Sequence, residues 1–129
     1  MTAAVVDDDS IVCSSLTTII EATGTAAVIW TALDGEQAVE HYSKHQPDIL
    51  LIDIQMPKMN GLDAAKHILQ AFPNAKILFL TTFADKEYIA QAIALGAKGY
   101  LIKQDVSSVA PAIQAVMSGQ IVLGAEILQ

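Results

Sequence analysis

Apolar runs alternate with helix-period segments along the whole chain. Ala3 to Val6 reads as a first strand. Ser10 to Ala22 reads as a helix with Ile11, Val12, Leu16, Ile19 and Ile20 as its inner face. Gly24 closes that helix, because glycine tolerates the left-handed conformation. Ala26 to Thr31 is a second strand. Asp34-Gly35 makes a turn, and Glu36 to His45 is a short helix buried through Ala38, Val39 and Tyr42. Pro47 stops it and launches the next strand, since a residue before proline is pushed out of the helical region.

That third strand, Ile49 to Ile52, is a continuous apolar run, the pattern of a strand covered on both faces. It ends at a carboxylate, Asp53, and at a loop punctuated by Pro57 and Gly61. Gly61 opens a helix through Leu62, Ala65, Ile68 and Leu69, closed by Pro73-Asn74. Lys76 to Leu80 is a fourth strand with Thr81-Thr82 at its tip. Asp85 is placed to cap a helix from Lys86 to Leu95, which Gly96 ends. Gly99 to Ile102 is a fifth strand reaching Lys103. Val106 to Ser118 is the last helix, where Pro111 is tolerable only near the first turn or at the cost of a kink. Five strands alternating with five helices through short connections predict an α/β fold with a doubly wound parallel sheet. The tail from Gly119 to Gln129 resumes an apolar pattern and reads two ways, as the approach to a further segment or as a packed terminal piece.

The 129 residues suit one domain, long enough to bury a core without disulfides or a structural metal. No apolar run approaches the ~20 residues of a membrane-spanning helix. Met1-Thr2-Ala3-Ala4 lacks the basic region of a secretory signal, so a cytoplasmic protein is expected. Cys13 is the only cysteine, which rules out an internal disulfide; a lone thiol on a helix is expected to pack rather than react. The formal net charge of −7 repels phosphate backbones, making this segment by itself a poor nucleic-acid binder. Three of the acids, Asp7-Asp8-Asp9, are contiguous.

The predicted strand ends gather chemistry. The first contributes Asp7 and Asp8, the third Asp53, the fourth Thr81 and the fifth Lys103. In a parallel sheet these lie along one edge, where open α/β sheets place their ligands. Three crowded carboxylates repel one another unless a cation sits among them, and hard oxygen ligands suit Mg²⁺. A hydroxyl and an ammonium complete a site suited to a phosphoryl group, and a carboxylate nucleophile would yield an aspartyl-phosphate. Taken one at a time these residues have plainer roles. Asp8 or Asp9 could cap the first helix, Thr81 could serve a turn, and Lys103 could be a solvated charge. Capping alone does not account for their joint placement. His41, His45 and His67 lack carboxylate or cysteine partners at ligand spacing. Trp30 reads as a core or sheet-face aromatic, and Met56 and Met59 as packing beneath the loop.

Val5-Val6-Asp7-Asp8-Asp9, the stretch Asp53-Ile54-Gln55-Met56-Pro57-Lys58-Met59-Asn60-Gly61, Leu80-Thr81-Thr82 and Gly99-Tyr100-Leu101-Ile102-Lys103 resemble the receiver domain of two-component response regulators. The likeness spans essentially the whole chain. Thr81 to Tyr88 and Gly96 to Tyr100 resemble the subfamily fused to a LuxR-type helix-turn-helix DNA-binding domain. The resemblance implies a flavodoxin-like five-stranded parallel sheet, order 2-1-3-4-5, with five helices in a three-layer sandwich. It implies a receiver over residues 1–120, with 121–129 starting a linker toward a C-terminal output domain.

The resemblance also implies roles. Asp53 is then the phosphoacceptor, supplied by a sensor histidine kinase. Mg²⁺ would be held by Asp8 directly, Asp7 mainly through water, Asp53, and the backbone carbonyl of Gln55. Thr81 would hydrogen-bond the phosphoryl group and Lys103 would pair with it. Tyr100 matches the aromatic whose rotamer tracks the Thr81 shift. Activity would be limited to Mg²⁺-dependent self-phosphorylation and self-dephosphorylation at Asp53, so the chain is not expected to be an enzyme in the ordinary sense. DNA would be met only through the output domain, no membrane is expected, and a homodimer on phosphorylation stays open. The rival reading is a stand-alone receiver acting by protein–protein interaction. A hydrolase of the aspartyl-phosphate kind would want an Asp at position 55, which is Gln55. Gln104 follows Lys103 where many receivers have proline, so no cis bond is expected there. Asp9 is expected to be solvated or a helix cap. Gln55 and Phe83 match positions that tune dephosphorylation in the family, and Phe83 is expected to obstruct the attacking water.

Overall fold

The chain runs β1 (Thr2–Val6), α1 (Ser10–Ala22), β2 (Ala27–Ala32), α2 (Gly35–Lys44), β3 (Ile49–Asp53), α3 (Gly61–Ala71), β4 (Ile77–Thr81), α4 (Lys86–Leu95), β5 (Gly99–Ile102), α5 (Val109–Met117) and β6 (Val122–Leu123). A 3₁₀ turn, Val106–Ser108, precedes α5. The structure is a computed structural model and describes residues 1–82, 85–103 and 106–123. The expectations for Phe83, for Gln104 and for positions 124–129 of the tail lie outside the described residues.

All strand pairs are parallel, in the order β2-β1-β3-β4-β5-β6. A strand with helices on both sides has no solvated face, and β3, β4 and β5 are buried at every position. Their side chains alternate between two cores. Ala4, Val6, Leu50, Ile52, Ile77, Phe79 and Tyr100 face α2, α3 and α4. Ala3, Val5, Ile49, Leu51, Leu78, Leu80 and Leu101 face α1 and α5. Each fully buried Leu or Ile in these layers contributes roughly 1.5–3 kcal/mol relative to exposure. The result is the expected three-layer flavodoxin-like sandwich.

The helices following strands β1 to β4 start at polar caps, and each cap lies at the carboxyl end of the sheet. Asp9 accepts from Ile11 N at 2.9 Å, Asp34 from Gln37 N at 2.8 Å, Asn60 from Asp63 N at 2.9 Å and Asp85 from Glu87 N at 2.9 Å. Asp9 is therefore the cap of α1. Pro111 is the third residue of α5, inside the first turn where no helical N–H is required.

Three expectations are corrected. Ile11 is 73% exposed, and the buried stripe of α1 is Cys13, Leu16 and Ile20, with Val12 and Ile19 half-buried. The first turn of α1 rises past the end of β1, so the stripe facing the sheet begins only at Cys13. The last helix begins at Val109, preceded by the tighter turn, rather than at Val106. The sheet also has a sixth, two-residue strand. After Gly119, at φ 96, Val122 N donates to Lys98 O at 2.9 Å and Leu123 pairs in register with Tyr100. At least this part of the tail is packed; a two-residue strand is too short to announce itself by alternation.

Candidate functional site

Register brings the predicted residues together. Val6 pairs with Ile52, so Asp7 and Asp53 leave neighbouring strands at the same level. Asp53 pairs with Leu80 and Thr81 with Ile102, and Lys103 N donates to Thr81 O at 2.7 Å. Lys103 Nζ lies 2.5 Å from Asp7 Oδ2 and 3.0 Å from Asp53 Oδ2. Asp7 Oδ1 accepts from Asp9 N at 2.9 Å. Carboxylate oxygens of Asp7, Asp8 and Asp53 lie within 4.8 Å of one another, the one such group of three potential metal ligands among the described residues.

Burial differs across the cluster. Asp7 is 1% exposed and Asp53 5%, whereas Asp8 is open to solvent. Burial pushes the Asp53 carboxyl above its ordinary value, the charge of Asp7 adds to this, and Lys103 opposes it. Burial works against the charge of Lys103, but its close contacts with the carboxylates of Asp7 and Asp53 outweigh it and hold the ammonium above the usual lysine range. One lysine thus faces two buried carboxylates, with a third at the rim. Among the described residues Asp7 Oδ2 accepts no hydrogen bond of regular geometry and meets Lys103 as an ion pair. A hard divalent cation suits this set: all-oxygen donors, an excess of negative charge, and one ligand open to water.

Thr81 ends β4, buried at 4% exposure, one strand away from Asp53. Tyr100 is buried at 1%, its ring 6.4 Å from that of Phe79. Burial raises its phenol pKa while the nearby Thr81 hydroxyl opposes this; even so, Tyr100 Oη makes no regular hydrogen bond among the described residues. Gln55 is exposed on the loop after β3, with its side-chain amide 3.5 Å from Tyr88 Oη. Gly61 holds that loop against the strand: its N–H donates to Ile54 O at 2.7 Å, and a Cβ there would lie 2.0 Å from Asp53 O.

The remaining candidates sit where packing puts them. Cys13 is buried, its Sγ 3.5 Å from Asp7 O, and burial and the Asp7 charge push its thiol up. Trp30 lies 5.3 Å from the His41 ring and donates from Nε1 to His45 O at 2.9 Å. Met56 and Met59 pack against the core below the loop. Sequence reasoning passed over Lys58, whose φ of 66 is the one positive value at a non-glycine residue among those described. Nothing in its side-chain chemistry announces a backbone of that kind.

A doubly wound parallel sheet with clustered aspartates, a threonine and a lysine at one edge is the architecture of a receiver. Residues 3–114 match the family of response regulator receiver domains, and the chain belongs to that family. The transcriptional regulatory protein LnrK of Bacillus subtilis (strain 168) is 39% identical over 124 residues, covering 95% of this chain and 56% of LnrK. The oxygen regulatory protein NreC of Staphylococcus carnosus (strain TM300) is 38% identical over 104 residues, 80% of this chain and 48% of NreC. The crystal structure of a LuxR-family two-component response regulator from Aurantimonas sp. SI85-9A1 superposes with a TM-score of 0.94 at 31% identity, covering 99% of this chain and 92% of that one. The chain spans about half the length of the curated relatives it matches. No helix among the described residues is long and apolar enough to cross a membrane.

Proposed function

We propose that this receiver takes a phosphoryl group onto Asp53 from a phosphohistidine on a sensor kinase in the cytoplasm, and passes the resulting state to a DNA-binding output domain. The observation that carries the reading is Lys103 Nζ bridging Asp7 and Asp53 at 2.5 and 3.0 Å, with Asp8 within reach of both. Lys103 engages Oδ2 of Asp53, so Oδ1 is the oxygen we assign to attack. It forms the new P–O bond as the bond from phosphorus to the donor breaks, and the leaving group departs with the electron pair. Asp8, Asp53 and the Gln55 carbonyl, with Asp7 through water, would hold Mg²⁺. Bound there, the cation neutralises charge on the acceptor and on the incoming phosphoryl oxygens.

The chain's own residues do the rest. Lys103, already charged and anchored by Asp7, pairs with a phosphoryl oxygen. Thr81 donates its hydroxyl to another, and Tyr100, beside it, registers the change toward α4 and β5. Residues 1–120 are then the receiver and 121–129 the start of a linker, whose first part, Val122 and Leu123, is still paired to the receiver's sheet. The name of LnrK as a transcriptional regulatory protein supports the transcriptional output over a stand-alone receiver. Incubation with acetyl phosphate and Mg²⁺, read by intact mass, tests the acceptor. Wild type gains one phosphoryl group and Asp53→Asn gains none; labelling of the variant would refute the assignment.

A further inference from the structure

The loop between β3 and α3, residues 54–60, is held partly by itself, through Gly61 N to Ile54 O at 2.7 Å and Met59 N to Pro57 O at 2.8 Å. Its backbone tie to α2 runs through Met59, whose carbonyl accepts from Gly35 N at 3.0 Å. Gly35 is the buried first residue of α2. A Cβ there would lie 2.3 Å from Met59 O and 2.8 Å from Met59 C, backbone against backbone, with nothing able to rotate aside. The preceding Asp34 is 5% exposed. Its Oδ1 caps α2, and its Oδ2 faces Lys58 Nζ at 3.8 Å. Lys58 holds φ 66 although its side chain is 63% exposed, so packing of that side chain does not impose the backbone. The next residue, Met59, has its carbonyl held on Gly35.

We propose that Asp34 and Gly35 are positioning residues for Asp53: the β2–α2 turn latches Met59, keeps Lys58 left-handed, and so sets the course of the loop that carries Gln55 past the acceptor. This rests on the reading of Asp53 as phosphoacceptor. A lysine free to choose prefers negative φ by about tenfold or more in population. Released from the latch, Lys58 relaxes and residues 55–58 shift relative to Asp53. Glycine at position 58 has no such preference, so the latched course costs it nothing.

Two measurements test this on the full chain. The first is amide hydrogen exchange by NMR without metal, comparing wild type with Lys58→Gly. The glycine removes the drive to leave the latched conformation, so the Gly35 amide exchanges about tenfold more slowly; an equal or faster rate overturns the latch. The second is the Mg²⁺ dependence of labelling by acetyl phosphate. Gly35→Ala raises the Mg²⁺ concentration for half-maximal rate about tenfold, by the same population argument. Gly35→Ala/Lys58→Gly returns toward wild type, a rescue that mere structural damage would not give. A single variant matching wild type, or a double variant no better than the single, overturns the proposal. If wild type is not labelled, the acceptor reading falls and the exchange comparison still judges the latch. Should Gly35→Ala fail to fold, the exposed Lys58→Gly substitution decides alone.

Discussion

Asp7 and Lys103, from the ends of the first and fifth strands, meet at 2.5 Å in a site where Asp7 is 1% exposed. Lys103 also holds Asp53, so its removal strands two buried carboxylates together. Breaking a fully buried pair costs roughly 3–5 kcal/mol, and the 19% exposure of Lys103 softens this. Lys103→Ala is expected to lose roughly 2–4 kcal/mol in metal-free denaturant unfolding. Added Mg²⁺ should restore part of the loss by taking over the neutralisation, without restoring labelling at Asp53. A variant equal to wild type in stability would show that the ion pair contributes little.

Asp53 itself makes a pH-dependent cost. Its carboxyl is held above the ordinary 3.8, by burial first, so the folded protein binds that proton more tightly than the unfolded chain does. Its favourable contribution is full below 3.8 and is lost as pH rises through the folded value. Asp53→Asn never ionises. In urea melts its stability relative to wild type should therefore rise from acid toward neutral pH, then level off. A difference independent of pH would place the carboxylate in a well-solvated setting instead.

The site was legible because parallel strands make sequence-remote ends coincide. Once Ile49 to Ile52 reads as a fully covered strand, Asp53 is at the edge, and Asp7, Thr81 and Lys103 follow from the same rule. The phase of α1 was not legible, since Ile11, Val12, Cys13, Leu16, Ile19 and Ile20 are nearly all apolar and composition does not rank one stripe over another. Its orientation is decided instead by where β1 ends, which leaves Ile11 above the sheet and Cys13 beneath Asp7. Gly35 read as part of a turn and is instead the first residue of α2, with Asp34 as its cap. Its contact with Met59 is a meeting of two backbones, which no pattern of side chains encodes.

Asp8 and Asp9 separate two roles that adjacent identical residues share on paper. Asp9 caps α1 through Ile11 N, while Asp8 is the exposed member of the acidic triplet. Asp9→Ala is expected to cost about 1 kcal/mol of stability, the usual value of a lost cap, and to keep Mg²⁺ affinity close to wild type. Asp8→Ala should leave stability nearly unchanged and weaken Mg²⁺ by at least the roughly 10–100-fold that loss of an outer-shell partner costs. Calorimetric titration with Mg²⁺ alongside thermal melts reads both. The reverse pattern would exchange the two assignments.

Glycines 24 and 61 make the last contrast, because alanine fails at each for a different reason. Gly24 sits at φ 68 with nothing within 4 Å of an added Cβ, so only the backbone preference opposes substitution. Gly24→Ala is expected to cost about 1–2 kcal/mol and to leave phosphoryl labelling intact, since α1 ends far from the acidic edge. Gly61 has no such φ, but its added Cβ would lie 2.0 Å from Asp53 O and 2.8 Å from Asp53 C. That obstacle is the backbone of Asp53 itself, and overpacking of even yielding side chains costs about 1–3 kcal/mol. Gly61→Ala should therefore lose at least about 3 kcal/mol and most of its labelling by acetyl phosphate, as Asp53 is pushed away from Lys103. Melts and intact-mass labelling run side by side distinguish the two glycines: a Gly61→Ala protein that labels as wild type does would mean the loop can shift without disturbing Asp53.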